Sequence, residues 1–205
     1  MPSGLELARI AQRVRIDALK STFRTGQGHL GGTFSVTDIL VALYFSPFLR
    51  LDGISAEEKL RDKLLLSKGH ACLALYSILR IKGLLSEEQF NSYGLDGGLG
   101  AQLDISTPFV DWNTGSLGHA VGIGAGLALG FKAQGLDKRV VTVLGDAELA
   151  EGSVWEALVF ASEQKLSNLI VIVDRNRLSV TAELNDDALF SEFPKKIKSF
   201  GWNFI

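Results

Sequence analysis

The run from Val140 to Thr181, VVTVLGDAELAEGSVWEALVFASEQKLSNLIVIVDRNRLSVT, constrains the fold more than any other stretch of the chain. It begins and ends with short β-branched apolar runs, Val140 to Leu144 and Leu169 to Val173, of the kind that parallel strands buried on both faces require. The first run closes on Gly145-Asp146 and the second on Asp174-Arg175-Asn176. Between them Val154, Leu158, Ala161 and Leu166 recur at near-helical spacing, with Ser153 placed to cap and Glu156 in the first turn. The unit is therefore strand, helix, strand. A parallel crossover sets the carboxyl ends of both strands on one edge of the sheet, where open α/β sheets bind their ligands. The predicted fold class is α/β, a mostly parallel sheet flanked by helices.

Asp146 and Asn176 lie thirty positions apart, the length one crossover consumes, so two oxygen-bearing side chains converge on one crevice. Two readings stay open for them. An Asp after a strand caps the following turn in many α/β proteins. Alternatively, the pair supplies oxygens to a hard cation such as magnesium, which takes a few protein oxygens and completes its shell with substrate phosphates. Glu151 and Glu156 also have two readings, as functional carboxylates or as a solvated helix start favoured by the helix dipole.

At 205 residues the chain has room for one α/β domain with a substantial core, and a single domain over 1–205 is expected. Its 21 basic and 23 acidic side chains leave a formal net charge of -2, with no electrostatic footprint for nucleic acid or an anionic membrane. Cys72 is the only cysteine, which excludes an internal disulfide and reads as a small core residue. Arg9, Arg13 and Arg15 interrupt the apolar positions near the N-terminus, unlike a secretory signal, so a cytoplasmic location is expected. The longest apolar stretch, Ala120 to Phe131, has twelve residues, against about 20 for a membrane span.

From Leu5 to Phe23, Leu7, Ile10, Val14 and Ala18 share a face opposite the arginines and Lys20, which predicts an amphipathic helix ending near Gly26. Gly26-Gln27-Gly28-His29-Leu30-Gly31-Gly32 follows, backbone freedom around one histidine that suggests close approach to a ligand; the histidine either satisfies loop carbonyls or meets that ligand. Ser35-Val36-Thr37-Asp38 reads as a capping box for a helix to about Phe45. Lys63 to Ser67 reads as a strand that turns through Lys68-Gly69-His70 into a helix over Ala71 to Ile81. There His70 sits at a helix start, which disfavours imidazolium and suits a neutral donor to an anion or hydroxyl.

Ser86-Glu87-Glu88-Gln89 is a second capping box, followed by a Gly-rich loop, Gly94 to Gly100. Gly118, Gly122, Gly126 and Gly130 fall four apart, and because each glycine costs a helix about 1 kcal/mol relative to alanine, the stripe is expected to serve close helix packing. Leu189 to Phe200 reads as a helix carrying the solvated Lys195, Lys196 and Lys198, after a polar segment at 182–187. Gly201 to Ile205 reads as the start of a strand.

Four separated motifs together resemble the transketolase family. GDAELAEGSVWEAL followed by NLIVIVDRNRLSV resembles its thiamine-diphosphate motif. GHLGG before SVTDILVALYF resembles its N-terminal pattern, LSKGHA its diphosphate-contacting histidine, and TGSLGHAVGIG its aminopyrimidine-contacting segment. The resemblance implies a thiamine-diphosphate-binding fold, with Mg2+ held by Asp146, Asn176 and the backbone carbonyl of Leu178. It implies cofactor contacts at His70, Gly115, Ser116, Leu117, Gly145, Asp146, Ala147 and Asn176. His29 and His70 match residues at the reacting end, and Glu151 and Glu156 match glutamates linked to proton communication across a subunit interface.

Three departures stand out. Ala147 replaces the family's second glycine, His119 replaces a Gln, and Gly100-Ala101-Gln102 stands where the family has Gly-His-Pro. The last removes a histidine that contacts the ketose donor and implies a donor other than the usual pentose phosphate. The activating glutamate of the family belongs to a second, pyrimidine-binding domain. A separate C-terminal transketolase-like subunit is therefore the expected partner, in a heterotetramer acting on sugars or sugar phosphates, with this chain silent alone and ending before the family's domain is complete. The alternatives are an E1 alpha-like subunit of a 2-oxoacid dehydrogenase and a non-catalytic cofactor-binding subunit.

Overall fold

A computed structural model describes residues 2–50, 61–179 and 192–205. The expected polar segment at 182–187 and the first residues of the helix expected from Leu189 lie outside the described residues. The chain divides into two compact units, residues 1–61 with 68–115, and residues 62–67 with 116–205.

The first unit is helical. In α1 (Gly4–Thr25) Val14 and Ala18 are buried, as the amphipathic pattern requires, and Ser3 and Glu6 form a reciprocal capping box. Gly26 ends the helix at φ 69, the left-handed position that glycine takes without a Cβ penalty. α2 (Leu30–Phe45) starts earlier than the expected box: His29 is its N-cap residue and Ser35 lies inside it. Gly31 and Gly32 are thus helical despite their propensity, and Gly32 explains why, since a Cβ there would lie 2.9 Å from His70 Nε2.

A 3-10 turn, Gly69–Ala71, leads into α3 (Cys72–Ile81), whose residues from Cys72 to Leu79 are all buried. Burial pushes the Cys72 thiol up to about 12, consistent with an inert core residue. α4 (Glu87–Asn91) carries the capping box expected at Ser86 and Gln89. Arg80 ties α3 to α1 through Asp17 and to α4 through Glu87 at 2.8 Å.

The second unit is built on a three-stranded parallel sheet in the order β1 (Lys63–Leu66), β2 (Val140–Gly145), β3 (Leu169–Asp174). Leu66 pairs with Val143 and Gly145 with Asp174, so all three strands point their carboxyl ends to one edge. Every residue of β2 is buried, which accounts for its unbroken apolar run.

α5 (Ala120–Ala133) packs on the sheet, and its contact differs from the expected one. Gly118 lies outside the helix at φ 80, Gly122 meets Ala157 Cβ at an ordinary 3.8 Å, and Gly126 and Gly130 have nothing within 4 Å. Gly124, off the stripe, is the tight position: a Cβ there would be 2.6 Å from Thr142 Cγ2. Spacing by fours defines a face of a helix without saying which way that face looks.

α6 (Gly152–Glu163) buries Val154, Leu158 and Ala161 as expected. Its N-cap residue is Glu151 without a side-chain bond, and Ser153, expected to cap, donates instead to the Gly118 carbonyl at 3.0 Å. α7 (Phe193–Ser199) adds Phe193 and Ile197 to the cluster formed by Leu144, Leu149 and Leu158. The strand expected from Gly201 is absent among the described residues: Trp202 packs against that cluster and its indole N–H donates to Leu158 O at 2.9 Å. Among the described residues no helix is long and apolar enough to cross a membrane.

Candidate functional site

In the second unit, β2 runs into the 3-10 turn Asp146–Ala150, so Gly145, Asp146 and Ala147 occupy the strand tip. Asp146 is 1% exposed, and its carboxylate accepts from Ala147 N–H at 2.9 Å and from Arg177 N–H at 2.6 Å. The second bond bridges two strand tips, because Arg177 follows β3. Arg177 sits at φ 62, an uncommon conformation for a residue with a Cβ, and it turns the Asn176–Leu178 segment toward Asp146. Asn176 Oδ1 accepts from Leu178 N–H at 2.8 Å. The structure therefore brings Asp146, Asn176 and Leu178 together, while Leu178 stays exposed.

Ala147 has no positive φ, so its Cβ imposes no left-handed strain where the family has glycine. Leu117 is half-buried and Gly115 and Ser116 are exposed; Ser116 Oγ lies 3.1 Å from His119 Nε2. Gly118, next in line, is held on both sides: its N–H donates to Glu148 at 2.9 Å and its carbonyl accepts from Ser153. Glu151 is exposed with its Cβ against Gly118, whereas Glu156 is exposed on α6 in a groove with Trp155, Val159, Phe160 and Glu163. These two glutamates are not gathered with Asp146.

In the first unit, His29 and His70 pair edge to face with ring centroids 5.3 Å apart. Burial, then the charges of His29 and Lys68, lower the His70 pKa to about 4, so its ring is neutral at pH 7 and can accept or donate a proton. Gln102 and Thr114 pack on Gly69, where a Cβ would fall 2.5 Å from Gln102 Oε1. The Ala101-Gln102 departure thus lies beside the turn that carries His70.

Sequence reasoning missed Glu148, which is 2% exposed and accepts hydrogen bonds from Gly145 N–H at 2.7 Å, from Gly118 N–H and from Ser67 Oγ. The available signal is its place three residues after Gly145, the spacing of a capping-box acid, obscured because glycine occupies the cap.

The donor chemistry at the strand tips is one buried carboxylate, one amide oxygen and one exposed backbone segment. Among the described residues no group of three or more His, Cys, Asp or Glu forms a metal cluster. A hard-cation site of the magnesium kind needs none, because carbonyl and phosphate oxygens complete it. The residues present fit such an ion.

The family model described as "Transketolase, thiamine diphosphate binding domain" matches residues 7–205. One of the two subunits named for apulose-4-phosphate transketolase in Phocaeicola vulgatus is 34% identical over 202 residues, covering 98% of this chain and 71% of the relative. The 6-deoxy-6-sulfo-D-fructose transketolase subunit SqwG of a Clostridium species is 32% identical over 201 residues, covering 97% and 73%. The crystal structure of transketolase from Campylobacter jejuni superposes with a TM-score of 0.88 at 28% identity over 98% of this chain and 33% of that one.

Proposed function

The chain belongs to the transketolase family through its thiamine-diphosphate-binding domain, and from that premise we propose that it is the N-terminal subunit of a split transketolase-like enzyme. The reaction is transfer of a two-carbon ketol unit from a ketose to an aldehyde. The observation that carries this reading is the hydrogen bond from Arg177 N–H to the buried Asp146 carboxylate, which joins the β2 tip to the Asn176–Leu178 segment.

Asp146, Asn176 Oδ1 and the Leu178 carbonyl would hold Mg2+, and Gly115, Ser116, Leu117, Gly145, Ala147 and His70 would contact the cofactor. Thiamine diphosphate, when bound, supplies the electron sink for breaking and remaking a carbon–carbon bond. The chain's own part is to bind and orient. Asp146 and Asn176 each keep lone pairs beyond the backbone bonds they already accept, so the tips stay folded while taking up an ion. His70, held neutral, exchanges protons with a substrate hydroxyl, and His29 stands beside it at van der Waals range. Glu151 and Glu156 link to the partner's site.

The partner is a C-terminal transketolase-like subunit that provides the activating glutamate, in a cytoplasmic heterotetramer. The names of the two subunit relatives support this. Those names, for apulose 4-phosphate and 6-deoxy-6-sulfo-D-fructose, together with Ala101-Gln102, support a ketose donor other than xylulose 5-phosphate. A 2-oxoacid dehydrogenase E1 alpha-like role is not favoured, since the relatives and the structural neighbour described are transketolases.

The test combines calorimetry with turnover. Wild-type protein should bind thiamine diphosphate only with magnesium, and Asp146→Asn should weaken that binding by about 100-fold or more, beyond the loss of an outer-shell group. Ketol transfer should appear once the C-terminal partner is added. Absence of magnesium-dependent binding, or of transfer to every aldehyde offered to the assembled protein, would overturn the reading.

A further inference from the structure

The geometry points to Glu148 as a positioning residue that sets the spacing between the Ser116–Gly118 turn and the Gly145–Ala147 strand tip. This rests on the proposed function, in which both segments contact the cofactor. Glu148 is buried, and its two oxygens meet only donors: Ser67 Oγ and Gly118 N–H at Oε1, Gly145 N–H at Oε2. Its carboxylate thus joins the tip of β1, the tip of β2 and the turn before α5.

Two of those donors are backbone amides, which cannot turn round to accept. A glutamine of the same shape would present its amide N–H2 either to Gly145 N–H or to Gly118 N–H, so one bond is lost whichever way the amide is placed. Gly118 cannot move aside to compensate. Its carbonyl is held by Ser153, and its backbone, at φ 80, lies against Glu151, where a Cβ would approach the Glu151 Cβ to 2.6 Å. One side chain therefore fixes the relation of two segments that are almost thirty residues apart, from a place too buried to touch substrate. Ser67 contributes only its hydroxyl, so its loss should matter less.

The experiment compares wild type, Glu148→Gln and Ser67→Ala as the full chain in its native assembly. It reads amide hydrogen exchange without cofactor and thiamine diphosphate affinity with magnesium. Glu148→Gln should speed exchange at Gly118 or Gly145 while leaving the middle of α5 and α6 unchanged, and should weaken cofactor binding about 10–100-fold, the loss typical of an outer-shell partner. Ser67→Ala should stay close to wild type in both. Unchanged exchange at both amides overturns the proposal, as does faster exchange with wild-type affinity, which would leave Glu148 a merely structural group.

If Glu148→Gln loosens the whole chain, Glu148→Asp decides: both acceptors return on a shorter arm, affinity should recover toward wild type, and no recovery overturns the assignment. A wild-type protein that binds no thiamine diphosphate sinks the functional reading instead, and exchange at the two amides then settles the positioning role on its own.

Discussion

At the strand tips of the second unit, Glu148 and Asp146 accept three and two hydrogen bonds, four of them from backbone N–H groups. In the first unit, His29 and His70 meet each other edge to face, and among the described residues neither ring is hydrogen-bonded. The contrast is between polar groups used as struts and polar groups left available. A buried carboxylate is tolerable only when donors surround it, so the tips are fixed before any ligand arrives. The imidazole of His70 escapes the same cost by staying neutral, which leaves its nitrogens uncommitted. One region is built to hold position and the other to exchange protons.

The largest expected effect lies in the braced region. Gly118→Ala combines a left-handed φ of 80 with a Cβ 2.6 Å from Glu151 Cβ and 2.8 Å from its Cγ. Backbone strain and overpacking together should cost about 3 kcal/mol, a fall of about 10 °C in the thermal midpoint of a chain this size. Thermal unfolding without cofactor measures it. A variant as stable as wild type would show that the turn gives way, and the contrast between strut and free group would be lost.

The strut region was also the more legible of the two in the sequence. Buried parallel strands need unbroken β-branched runs, so β2, β3 and the helix between them stood out, and one crossover placed Asp146 and Asn176 on the same edge. Glu148 was not legible, because a capping box without Ser or Thr at the cap looks like an ordinary acidic turn. The start of α2 was hidden by Gly31 and Gly32, whose low helix propensity pointed to a loop while the nearness of the His70 ring required small residues. The stripe of glycines in α5 gave the right spacing and the wrong face, since Gly124 alone presses on the sheet. At the C-terminus, Trp202 had one strong partner, the Leu158 carbonyl, that no local pattern announces.

A second prediction sharpens the histidine side of the comparison. His70 has a folded pKa near 4 against an ordinary value of 6.5. Its contribution to stability is complete above pH 6.5, where both folded and unfolded chains carry a neutral ring. As the pH falls from 6.5 toward 4 the unfolded chain takes up a proton that the folded protein refuses, and stability declines. Because the ring is partly exposed, solvent screening limits the loss between pH 7 and pH 5 to about 1 kcal/mol. Denaturant melts of wild type and His70→Gln at the two pH values isolate it, with the variant expected to show the smaller decline. An equal decline in both would assign the pH dependence to other groups.

The smallest effect is expected at Gly32, and it tests whether the histidine is as free as the contrast requires. A Cβ on Gly32 would lie 2.9 Å from His70 Nε2 and 3.0 Å from its Cδ2, as close an approach as many that exclude substitution. Yet Gly32 is helical and not at positive φ, and the obstacle is the end of a side chain with no hydrogen bond to break. Gly32→Ala gains about 1 kcal/mol of helix propensity and loses a similar amount turning the ring aside, so the unfolding free energy should change by less than about 1 kcal/mol. The displacement should appear instead in the imidazole resonances of His70 and in slower ketol transfer by the assembled protein. A destabilisation as large as that of Gly118→Ala would mean that the ring is pinned as firmly as the strand-tip carboxylates, and that the two regions are built alike.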